Sequence, residues 1–101
     1  MSRYILTASV LEFDDGDCDK CPPFDALNAS LEGQFKRADH RYEKGRAVAD
    51  LFAIAQLNHV GPDVVAGVMR KSAWKWPDEV RLMVNDEATY DDFRFVDWRA
   101  A

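Results

Sequence analysis

Histidine and cysteine are scarce in this chain, two of each among 101 residues, and that limits the chemistry open to it. A tetrahedral zinc site needs four nitrogen, sulfur or oxygen ligands. Built from nitrogen and sulfur here, it would use Cys18, Cys21, His40 and His59 together, with histidines far from finger-like spacing. A glycine-rich phosphate loop, a Gly-x-Ser-x-Gly nucleophile turn, an HExxH helix and a dinucleotide fingerprint are all missing. No motif points toward catalysis, and the chain is expected not to be an enzyme. Bases are in deficit as well: 13 Lys and Arg stand against 18 Asp and Glu, a net charge of −5. Phosphate contact over the whole surface is therefore disfavoured. No apolar run approaches the roughly 18 residues that span a bilayer. Met1-Ser2-Arg3 passes straight into strand-like sequence, without the apolar region of a secretory signal. The expected home is the cytoplasm, where thiols are held reduced.

What is present is a hydrophobic fraction of 48%, with aromatics at 12%, enough for one packed domain over residues 1–101. The densest local signal is Glu12-Phe13-Asp14-Asp15-Gly16-Asp17-Cys18-Asp19, whose carboxylates repel one another and predict a solvated loop. Cys18-Asp19-Lys20-Cys21 overlaps it. Two thiolates at that spacing can share a zinc ion, or form a redox pair where a strand meets a proline-led helix. A helix N-terminus lowers a thiol pKa, but Asp14, Asp15, Asp17 and Asp19 would raise it. The reading is two incidental thiols, with no cofactor and no metal. Asp15, Asp17 and Asp19 alternate like the start of a calcium loop, but Lys20 stands where glycine is needed and Ala26 where a bidentate glutamate belongs.

Residues 3–13 read as a strand, with Tyr4, Ile5, Leu6, Thr7, Val10 and Leu11 supplying it. Pro22 and Pro23 suit a first helical turn, Phe24, Leu27 and Leu31 follow at helical spacing, and Gly33 marks a stop. Residues 34–44 read as a short helix or the start of the next. Residues 46–59, with a broad apolar arc through Val48, Leu51, Phe52, Ala55 and Val60, read as a central core helix. Gly61-Pro62-Asp63 opens another, with Val64, Val65, Val68 and Met69 inward. Pro77 starts a further helix, although Val80, Leu82 and Val84 equally suit a strand, and Phe93 and Phe95 alternate as a strand. The expected fold is a helix-rich α+β domain whose N-terminal strand pairs with a C-terminal one.

Two features point to an interaction surface. In a helix, residues two apart face about 200° from each other, so Trp74 and Trp76 could not both be buried, and an exposed tryptophan favours a binding hot spot. Asp86, Glu87, Asp91, Asp92 and Asp97 are interleaved with Tyr90 and Phe93, a mixture suited to a basic groove. The leading expectation is a small acidic protein that binds another protein with a basic surface, using Asp14, Asp15, Asp17, Asp19, Trp74, Trp76, Asp91 and Asp92. By size and charge alone it is similar to phage-encoded inhibitors, anti-CRISPR proteins among them, that occupy basic nucleic-acid channels. Alternatives are a zinc or thiol-redox protein on the CxxC pair and a helix-turn-helix DNA-binding regulator over residues 46–73. In the latter, Arg70, Lys71 and Lys75 would meet phosphate.

Overall fold

The computed structural model describes residues 2–13, 20–38, 42–43, 46–47, 50–85 and 92–100. Its chain order is β1 (Ser2–Ala8), α1 (Pro22–Ser30), β2 (Lys36–Arg37), β3 (Tyr42–Glu43), β4 (Arg46–Ala47), β5 (Leu51–Leu57), α2 (Pro62–Lys71), β6 (Arg81–Asn85) and β7 (Arg94–Val96), with single 3-10 turns at Val10–Glu12 and Pro77–Glu79. Five strands form one antiparallel sheet in the order β2-β5-β1-β6-β7, and β3 pairs with β4 separately. The domain is not helix-rich; it is a sheet with two short helices. Nor does the N-terminal strand pair with the last strand, over residues 94–96. β1 sits between β5 and β6, and β7 lies outside β6.

The largest departure from the sequence expectation is residues 46–59. Leu51–Leu57 is a strand with strict alternation: Leu51, Ala53, Ala55 and Leu57 are buried, whereas Phe52, Ile54 and Gln56 are exposed. Six of its seven residues are apolar, so the two-residue period was hidden and the stretch resembled a wide helical arc. Residues 34–44 hold β2 and β3 in place of a helix. The Pro77 helix is one 3-10 turn that leads into β6, where Val80, Leu82 and Val84 are buried in the strand reading.

The two proline-led helices do form where proline and capping placed them. Cys21 is the N-cap of α1, and its N–H donates to Asp25 Oδ2 at 3.3 Å. The chain reverses after α1 through Glu32 and Gly33, both at positive φ. Asn28 holds that reversal closed: its Oδ1 accepts from the Phe35 N–H at 2.9 Å and its Nδ2 donates to the Phe35 carbonyl at 3.1 Å. In α2, Val65 and Met69 are buried, but Val64 points outward.

Both helices deliver their apolar residues to one side of the sheet. Phe24 and Leu27 from α1, and Val65, Ala66 and Met69 from α2, join Tyr4, Leu6, Leu51, Leu82 and Val84 in a single core. Two polar groups at its margin are matched: the Tyr4 hydroxyl donates to the Val60 carbonyl at 2.7 Å and Trp98 Nε1 donates to the Val80 carbonyl at 2.8 Å. This is a two-layer arrangement, helices on one face of an antiparallel sheet. No helix among the described residues is long and apolar enough to cross a membrane.

Candidate functional site

An antiparallel sheet covered on one face ordinarily shows polar residues on the other. This one does not. The strand register lines up Lys36, Ile54, Ile5, Met83 and Phe95 as one row across all five strands. Phe52, opposite Thr7, belongs to the neighbouring row. Ile54 is 45% exposed, Phe52 39% and Phe95 68%, while Ile5 and Met83 are half-buried between their neighbours. At about 4.8 Å between strands, the row spans roughly 19 Å. A cavity of about 560 Å³ opens on this side, with Ile5, Ile54, Arg3, Lys36 and Phe93 in its lining. The Arg3 guanidinium lies 5.8 Å from the centre of the Phe93 ring.

The charge on the sheet is equally uneven. Its five strands carry Arg3, Lys36, Arg37, Arg81 and Arg94, and not one of the chain's 18 acids. Arg37 faces the core side, stacked 4.8 Å above the Phe13 ring. Arg3, Lys36 and Arg81 share the parity of the open face, alternating with the buried residues of their strands or pairing with the apolar row.

Of the residues singled out in the sequence, Asp14, Asp15, Asp17, Asp19 and Asp91 lie outside the described residues, as do Cys18 and His40. Asp92 is exposed, immediately before Phe93. Trp74 and Trp76 are in a loop, not a helix, so the angular argument does not apply to them. Trp74 is half-buried, packs against the core and donates its Nε1 hydrogen to the Met69 carbonyl at 3.1 Å. Trp76 leaves its side chain 49% exposed. Glu12, expected at the start of the solvated loop, is fully buried. Its Oε1 accepts from the Lys75 N–H at 3.0 Å and its Oε2 from the Trp76 N–H at 2.6 Å, tying the tryptophan loop to the end of the first strand region.

Cys21 is also fully buried, and burial is the main reason its thiol is pushed up to about 11, with the Glu12 and Asp25 carboxylates adding to the effect. A thiol held protonated at neutral pH is a poor nucleophile and a poor metal ligand. Among the described residues no cluster of three or more His, Cys, Asp or Glu could hold a metal ion. In a Cys18→Ser protein, Cys21 is expected to resist a thiol reagent such as DTNB at pH 8 until denaturant is added. The unfolded thiol ionises near 9 and the folded one near 11, so this thiol's contribution to stability should be constant below pH 9 and fall as pH rises from 9 to 11. The loss attributable to this group reaches about 2–3 kcal/mol. Rapid labelling of the native protein at pH 8 would contradict its burial.

The helix-turn-helix expectation has no first helix, since residues 51–57 are β5. Arg70 is also engaged within the chain: its Nη1 donates to the Trp98 carbonyl at 2.9 Å and the Ala100 carbonyl at 3.0 Å. That holds the C-terminal turn against α2.

The residues that sequence reading passed over are Ile5, Phe52, Ile54, Met83 and Phe95. One signal could have found them. If 51–57 is a strand, one parity must face out, and the parity Phe52-Ile54-Gln56 would then expose two large apolar residues. No family model, curated protein or solved structure matches the chain.

Proposed function

We propose that this protein works by binding another protein, with the open face of its sheet as the contact surface. The observation that carries the reading is the apolar row Ile54–Ile5–Met83–Phe95, left uncovered by both helices. Exposing it costs the free protein solvation free energy, at about 25 cal/mol per Å² of apolar surface. A covering partner recovers that free energy and stabilises the complex. The tryptophan loop lies in a separate segment, and half-exposed Trp76 remains the anchor of a second reading. In it, the acid-rich segments at 12–19 and 86–97 enter a basic surface that otherwise holds nucleic acid.

Immobilised wild type, an Ile54→Ser/Phe95→Ser double variant and a Trp76→Ser variant separate these readings when challenged with lysate of the native host. A partner held through the sheet face is expected to be retained by wild type and Trp76→Ser. Its retention should fall at least tenfold with the double variant, because truncating two interface anchors costs about 2 kcal/mol or more. Loss with Trp76→Ser alone would move the contact to the tryptophan loop. All three proteins should melt within a few degrees of one another.

A further inference from the structure

Resting on that reading, we infer that the open face accepts an acidic protein segment carrying large apolar side chains, opposite in sign to the partner expected from net charge. Net charge sums the whole surface, whereas contact is local. On the open face the strands place Arg3, Lys36 and Arg81 and no acid, so the charge the strands themselves present there is positive. Within the cavity, Ile5, Ile54 and Phe93 form the apolar lining while Arg3 and Lys36 supply positive charge at its sides. An isoleucine, leucine or phenylalanine of the partner fits between the apolar walls, with flanking aspartate or glutamate carboxylates near Lys36 and Arg3. The row of roughly 19 Å matches about 13 residues of an α-helix at 1.5 Å each, enough for several apolar anchors on one stripe. A second copy of the chain fits less well face to face, since Lys36, Arg3 and Arg81 would then confront their own kind.

Single-stranded nucleic acid is the other anionic candidate. The centre of the row argues against it. Ile54, Ile5 and Met83 are aliphatic, whereas base-stacking platforms place aromatic rings under successive bases. Phe52 and Phe95 sit on β5 and β7, with β1 and β6 between them. The net charge of −5 also repels a polyanion at long range.

The test uses the full chain and three fluorescein-labelled probes in anisotropy titrations. One is a 14-residue amphipathic peptide with Leu and Phe on one stripe and Glu elsewhere. The second is its twin with Lys for Glu, and the third is a 15-nucleotide oligo(dT). Sedimentation velocity on the unlabelled protein follows self-association. The acidic peptide is expected to bind at least tenfold more tightly than its lysine twin and to weaken with salt. Its amide-shift footprint should centre on Ile5, Ile54 and Phe95. With Arg3→Glu/Lys36→Glu the preference between the peptides should reverse, while circular dichroism stays that of the parent. Equal binding of both peptides on that footprint overturns the acidic-partner inference and leaves the open-face reading standing. A footprint elsewhere removes both. Tighter binding of oligo(dT), no binding of the acidic peptide at millimolar concentration, or a dimer abolished by Ile54→Ser each overturns the inference.

Discussion

Glu12→Ala is expected to lower the unfolding free energy by about 3–4 kcal/mol, because it deletes a buried charged acceptor serving two backbone donors, each bond of that type being worth about 1.5–3 kcal/mol. The carboxylate is fully buried, and its two oxygens meet the N–H groups of Lys75 and Trp76 separately. The neighbouring backbone donors bond elsewhere, Ser72 N–H to the Met69 carbonyl and Trp74 N–H to the Ser72 carbonyl, so these two amides depend on Glu12. Glu12→Gln keeps one acceptor but turns an amide N–H toward the second donor. About 2 kcal/mol is expected to be lost there. Urea titrations followed by tryptophan fluorescence would measure both. A loss below 1 kcal/mol for Glu12→Ala would mean the loop does not depend on this carboxylate. The same experiment reads position as well as stability: with Glu12 gone, Trp76 loses the bond that fixes its backbone, and its emission should shift toward that of a fully solvated indole.

Leu6→Ala and Ile54→Ala form the second test, on neighbouring strands and opposite faces. Leu6 is fully buried on the central strand, between β5 and β6, and its removal should cost about 3–4 kcal/mol through lost transfer free energy and the cavity left behind. Ile54 is 45% exposed and has the strand parity opposite to the buried residues of β5. Its truncation should cost under about 1 kcal/mol, chiefly strand propensity. The contrast carries functional weight. An apolar side chain that contributes little to stability and faces outward at the middle of a sheet is maintained at a solvation cost, which fits a surface that is covered in use. If Ile54→Ala were as damaging as Leu6→Ala, the open face would be part of the core and the binding proposal would lose its foundation.

How much of this was legible beforehand follows from the kind of signal each element carried. Pro22-Pro23 and Gly61-Pro62 announce helix starts through a fixed φ and a missing donor, which are properties of the residues alone, and α1 and α2 begin there. The 80–84 alternation was visible because Arg81 breaks the apolar run. β5 reads as a helix because Phe52 and Ile54 make its outward parity largely apolar too, so the feature that disguises the strand is the one on which the proposed contact surface rests. Glu12 was assigned to solvent on charge alone. Its burial depends on the Lys75 and Trp76 amides, more than 60 residues away along the chain, and no local pattern records that.

By itself the amino-acid sequence determined the starts of the two helices led by Pro22 and Pro62, the acid excess and the absence of any recognised catalytic motif, because these reside in single residues or in short-range spacing. The tertiary structure alone decided the strand order, the burial of Glu12 and Cys21, and the assembly of Lys36, Ile54, Ile5, Met83 and Phe95 into one row. Those depend on register between strands distant in sequence, where a shift of one residue would turn every side chain to the opposite face.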